Sequence, residues 1–110
     1  MTDTAPPAVA RYLAASDAGD AAAIADCFTP DGTVLDEGAT HRGRPEIRAW
    51  REAVARQYTF TTTVTGSEPV DTDHHRVTVR IAGDFPGGVA DLTYRFGLRD
   101  GLIADLAIVG

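Results

Sequence analysis

Val34-Leu35-Asp36 puts a carboxylate two residues after a valine in a short β-branched run. In a strand, residues two apart share a face, so a valine turned inward takes the aspartate with it. Apolar surroundings raise a carboxylate's pKa and make it a usable proton acceptor near neutral pH. The alternative for Asp36 is structural, an acid that ends a strand and caps the following loop. Tyr12 is the second candidate. It lies on one helical face with Val9 and Ser16, so its ring packs inward while its hydroxyl needs a partner. That partner is a buried carboxylate, a ligand oxygen, backbone or water. His41, in the loop after Asp36, is a candidate proton carrier near a pocket mouth or else a solvated loop residue. Trp50, Phe85, Leu92 and Tyr94 are candidate walls for a small apolar molecule. Tyr58, Phe60 and Phe96 belong to the same aromatic set, although regularly spaced aromatics also build ordinary core.

Other chemistries are disfavoured by what the chain lacks. All ten basic residues are arginine, which removes lysine Schiff-base chemistry and a Walker-type phosphate loop. A formal charge of −6 works against nucleic acid and anionic membranes as partners. The single cysteine, Cys27, sits on an apolar helix face and reads as packing. Cys and His residues are too few at ligand spacing for a metal site, and adjacent His74 and His75, expected to be exposed at a hairpin, point to opposite faces. Ser16 and Ser67 have no histidine beside them, so a serine hydrolase is not suggested. No apolar run spans a bilayer. Residues 1–7 carry Asp3 and no basic group, unlike a secretory signal, and a cytoplasmic location is expected.

Stepping these residues into place takes three helices and a sheet. At 110 residues, with 44% hydrophobic and 24% charged, the chain fills one domain, expected over 8–110 behind a loose tail at 1–7. The spacing predicts a helix over 8–18 stopped by Gly19, and a second over 21–28 capped by Asp20 and ended by Pro30 and the Asp31-Gly32 turn. A short strand follows at 33–36, then a polar loop at 37–44. Pro45 opens a third helix in which Ile47, Trp50, Val54 and Tyr58 face inward while Arg48, Arg51, Glu52 and Arg56 mostly face water. Alternation predicts strands at 60–65, 76–83, 89–98 and 102–109, joined by short turns that imply antiparallel pairing. The expected fold is α+β, three helices packed on a strongly curved, mainly antiparallel sheet that encloses a cone.

The runs Ala10-Arg11-Tyr12-Leu13-Ala14-Ala15-Ser16-Asp17-Ala18-Gly19-Asp20 and Cys27-Phe28-Thr29-Pro30-Asp31-Gly32-Thr33-Val34-Leu35-Asp36, then Arg42-Gly43-Arg44-Pro45-Glu46-Ile47, carry a likeness. The chain resembles the nuclear transport factor 2-like superfamily, particularly its ketosteroid isomerase-like and SnoaL-like branches. The resemblance implies Asp36 as general base and Tyr12 as hydrogen-bond donor to a developing enolate oxygen, with no cofactor. In ketosteroid isomerases a protonated aspartic acid completes the oxyanion hole. Here Leu92 stands at that place, and Asp91 faces the other side of the sheet. A missing donor of this kind costs on the order of 10²–10³ in rate. SnoaL-type polyketide cyclases likewise use an acid–base aspartate. The Asp–Arg–Asp arrangement of limonene epoxide hydrolases ranks lower, because the inward strand positions carry no arginine. Two functions stay open: a cofactor-independent isomerase or cyclase acting on a small apolar carbonyl compound, or a non-catalytic module of the same fold that binds a small ligand or dimerises. Under either, the resemblance implies a homodimer through the outer sheet face of Thr61, Thr63, Thr78, Arg80, Thr93 and Arg95.

Overall fold

Proline opens the first helix and glycine closes it. Pro7 sits in the first turn of α1 (Pro7–Ala18), where its missing N–H costs nothing. Gly19 ends the helix at φ 68°, a left-handed backbone that favours glycine. Ala8, Val9, Tyr12 and Ala15 form the buried stripe of α1. The computed structural model describes residues 5–110, so residues 1–4 of the expected tail lie outside the described residues. Asp20 caps α2 (Ala21–Asp26), its Oδ1 accepting from the Ala23 backbone N–H at 3.0 Å.

The second helix stops at Asp26 rather than running to Phe28, which instead begins β1 (Phe28–Asp36). Pro30 and Asp31-Gly32 therefore lie within a strand, at an irregularity between the pairs Phe28–Ile103 and Thr33–Asp105. The segment expected as a polar loop contains β2 (Ala39–Arg42), a hairpin partner that pairs Val34 with His41 and Asp36 with Ala39. Glu37 and Gly38 make the turn with positive φ at both positions, 52° and 78°.

Helix α3 (Arg44–Gln57) carries Pro45 in its first turn. Two contacts clamp its start to β1: the Arg44 guanidinium donates to the Phe28 carbonyl at 2.7 and 3.0 Å, and the Gly43 N–H to the Gly32 carbonyl at 2.8 Å. Tyr58 lies just beyond the last turn, in extended backbone. Arg51 is buried, contrary to its expected solvent-facing position, because it falls on the same stripe as Ile47, Trp50 and Val54.

Four strands complete the sheet: β3 (Phe60–Asp71), β4 (His74–Gly83), β5 (Val89–Arg99) and β6 (Leu102–Val109). Strand β3 runs well past its expected end at 65, through a register shift between Val64 and Gly66. The order is β2-β1-β6-β5-β4-β3, antiparallel throughout except where β1 and β6 pair in parallel. The result is the expected α+β architecture, three helices on an open, mixed six-stranded sheet. Val77, Val79, Tyr94, Phe96, Ile103 and Leu106 form the sheet's share of the core. His75 is buried on the same face rather than exposed, because it alternates with Val77 and Val79, and its Nε2 meets Ser67 Oγ at 2.8 Å.

Candidate functional site

Between α1, α3 and the concave sheet lies a cavity of about 500 Å³. Tyr12 and Ser16 reach it from α1, and Asp36 and Glu37 from the end of β1. Helix α3 brings Trp50, Arg51 and Val54, while Tyr58, Phe60, Phe85, Leu92 and Tyr94 line the rest with several aliphatics. The Asp36 carboxylate is half-buried there. Its Oδ2 accepts from the Trp50 indole N–H at 3.1 Å, and Oδ1 accepts no hydrogen bond from any described residue. One oxygen is held and the other has its lone pairs open to the cavity.

Tyr12 is set in an aromatic box, its ring edge-on to Phe28, Tyr94 and Phe96 with centroids 6.2, 6.1 and 5.4 Å away. No described residue hydrogen-bonds the hydroxyl of Tyr12 or of Tyr94. Among the described residues, however, no fully buried side-chain nitrogen or oxygen lacks a partner. Both hydroxyls must therefore reach open space, and the space they share is the cavity. Burial pushes the Tyr12 phenol well above the ordinary tyrosine value, with Tyr94 adding to the rise and Arg51 opposing it. Burial likewise pushes Tyr94 up to about 12. At neutral pH both are O–H donors, not phenolates.

Arg51 brings a cation to this apolar hollow. Its guanidinium donates to the Ser16 carbonyl at 3.2 Å, near the end of α1, and lies over the Phe60 ring at 5.6 Å from the centroid. No carboxylate among the described residues pairs with it. Sequence reasoning missed it, although its place four residues after Ile47 and three before Val54 was the signal.

Of the residues expected to form the site, Asp36, Tyr12, Trp50, Phe85, Leu92 and Tyr94 all line the cavity. His41 does not. It stacks on Trp50 from β2, ring centroids 6.0 Å apart, because it pairs with Val34 and so meets α3 beside the cavity. Phe96 also lies outside the lining, in the core behind Tyr12. Asp91 faces away on the outer sheet surface and pairs with Arg80 at 2.9 Å. Cys27 is buried and donates to the Ala23 carbonyl at 3.3 Å, and burial pushes its thiol pKa up. Among the described residues no group of three His, Cys, Asp or Glu side chains is placed to hold a metal ion. No helix among them is long and apolar enough to cross a membrane.

Three helices over an open curved sheet around a cavity, together with the match to the SnoaL-like family model, place the chain in the nuclear transport factor 2-like superfamily. Within it, the SnoaL-like domain model matches residues 9–106, and the chain belongs to that family. It is similar to a candidate polyketide cyclase of Sinorhizobium meliloti, with 36% identity, 94% of each chain covered and a TM-score of 0.89. A protein of Catenulispora acidiphila with a ketosteroid isomerase-like fold, solved with trimethylamine, is 23% identical over 97% of this chain and 87% of its own, TM-score 0.87. The Mycobacterium tuberculosis protein Rv0760c, solved with estradiol-17β-hemisuccinate, is 15% identical over 92% and 88%, TM-score 0.77. No curated protein matches the sequence.

Proposed function

We propose that the protein is a cofactor-independent isomerase or cyclase acting on a small apolar carbonyl compound. The observation that carries this reading is one cavity holding a carboxylate oxygen and two phenol hydroxyls that have no partner among the described residues. Asp36 accepts a proton from the carbon next to the carbonyl. The C–H electron pair becomes the enolate double bond, and the carbonyl electrons move onto oxygen. Tyr12 and Tyr94 donate hydrogen bonds to that oxygen, which gains charge as the proton leaves. Leu92 cannot donate, and Tyr94, two residues on and on the same face, takes the second donor's part. The enolate then recovers the proton from Asp36 at another carbon, as in an isomerase, or attacks a second carbonyl carbon, whose oxygen takes the displaced electron pair and then the Asp36 proton, as in a cyclase. Likeness to a candidate polyketide cyclase, and to a protein of the same fold solved with a steroid ester, supports an apolar ring compound as ligand. The same reading includes a homodimer through the outer sheet face and, with a free buried thiol, a cytoplasmic location.

Hydrogen–deuterium exchange of 2-tetralone in heavy water, followed by NMR, tests it. The native protein should accelerate exchange, and Asp36→Asn should slow it by about 10²–10⁴. Equal rates would remove Asp36 as the base. Leu92 in the acid's place favours a second reading, a binding module, which predicts that the ketone binds without exchanging.

A further inference from the structure

Arg51 is the buried arginine among the described residues, and the other arginines with side-chain partners spend their charge at the surface or on backbone. A guanidinium has five N–H donors. One bond goes to the Ser16 carbonyl, and the Phe60 face covers part of the charge. The remaining donors have no described partner, yet none is sealed off without one, so they too open on the cavity. A cation held in apolar surroundings without an anion is costly, and the cost falls when an anionic ligand arrives.

The lining's own carboxylates do not fill that place. Asp36 is held by the Trp50 indole, and Glu37 is exposed at the β1–β2 turn. The Arg51 guanidinium lies near enough to Tyr12 and Tyr94 to oppose the rise in both their pKa values, and Asp36 lies near enough to add to it. One cavity thus holds the open guanidinium donors of Arg51 and, on Asp36, an acceptor oxygen with no described partner. The guanidinium fits a carboxylate, Tyr12 and Tyr94 remain for the carbonyl oxygen, and the aromatic and aliphatic remainder fits an apolar body.

We infer that the substrate is an apolar oxo acid whose carboxylate is received by Arg51. This rests on the carbonyl chemistry proposed above and narrows it, because an acid-bearing substrate enters carboxylate first and presents its carbonyl to Asp36 in a set orientation.

Two isosteres separate charge from shape: adamantane-1-carboxylate and 1-acetyladamantane, in which a methyl group replaces the anionic oxygen. Trp50 is the only tryptophan and lines the cavity, so its fluorescence reports binding of either. The native protein should bind the carboxylate about tenfold or more tightly than the ketone at low salt. Arg51→Met should bring the two affinities to within about threefold, and Arg51→Lys should keep part of the preference. Because Arg51→Met also removes the bond to Ser16 and can fail to fold, a second measurement uses the native protein alone. The carboxyl ¹³C shift of the bound acid, followed against pH, should show it ionised to lower pH than in free solution. Equal affinities in the native protein, an unchanged preference in Arg51→Met, or a raised pKa of the bound acid would each overturn the inference. If the ketone binds but the acid has no advantage, the cavity reading stands and the acid falls. If neither binds, both fall together.

Discussion

A phenol held at about 12 makes Tyr94 a donor with a measurable signature. Above pH 10 the unfolded chain releases its phenol protons, while the folded chain keeps those of Tyr94 and Tyr12. The unfolded state then binds fewer protons, and stability falls as pH rises. The contribution is complete below 10 and is lost on approaching 12. For Tyr94, the interval corresponds to on the order of 3 kcal/mol. The chain has no lysine, so no ammonium group titrates across this window. Urea unfolding at several pH values should give a steeper decline between 10 and 12 for the native protein than for Tyr94→Phe, and equal slopes would contradict the burial described for this hydroxyl. At this scale Asp36 and Tyr12 were legible because strand and helix periodicity place them beside Val34 and Val9. Arg51 and His75 obeyed the same periodicities. They were misjudged because residue type was given more weight than position, and burial of a polar side chain depends on partners such as the Ser16 carbonyl and Ser67, which local spacing does not supply.

Elements carry these side chains, and the shortest helix is the most exposed to loss of a single bond. Helix α2 has six residues, too few to persist without its cap or its packing against α3. Asp20 supplies that cap through the Ala23 N–H. Asp20→Ala should lower stability by about 1 kcal/mol in denaturant unfolding, with tetralone exchange retained, since Asp20 is exposed and outside the cavity lining. A loss below a few tenths would mean that packing alone holds α2. The end of α1 and the starts of α2 and α3 were readable from Gly19, Asp20 and Pro45, while the end of α2 was not, because Phe28 already pairs in β1. The strands were less legible. Strand β2 hides in a polar stretch because none of its residues is buried and it lacks an apolar face, and β3 outruns its β-branched stretch because pairing with β4 carries it through Gly66, Ser67, Glu68 and Pro69.

For the whole molecule, the parallel contact between β1 and β6 decides how the cone closes, and it joins segments too far apart in sequence for local patterning to reveal. Closure leaves the opposite sheet face uncovered. Cross-strand partners share a face, so Leu35, Ala107 and Arg95 lie together there, as do Thr78 with Thr93 and Ala82 with Val89. Leu35 and Val89 are 40% and 55% exposed, large for apolar side chains. The ion pairs Arg80–Asp91 and Arg76–Glu68 neutralise much of the charge that would otherwise repel a second copy. A stable pair needs about 800 Å² from each partner, a modest part of the 6152 Å² that one chain exposes. The proposed homodimer therefore predicts a light-scattering mass twice the 11.6 kDa of the chain at micromolar concentration. Thr93→Glu, set in the middle of the face against Thr78, should halve that mass and leave ligand binding intact, because the cavity lies on the other side of the sheet. A native mass of one chain, or a Thr93→Glu variant that still pairs, would place the partner surface elsewhere or remove it.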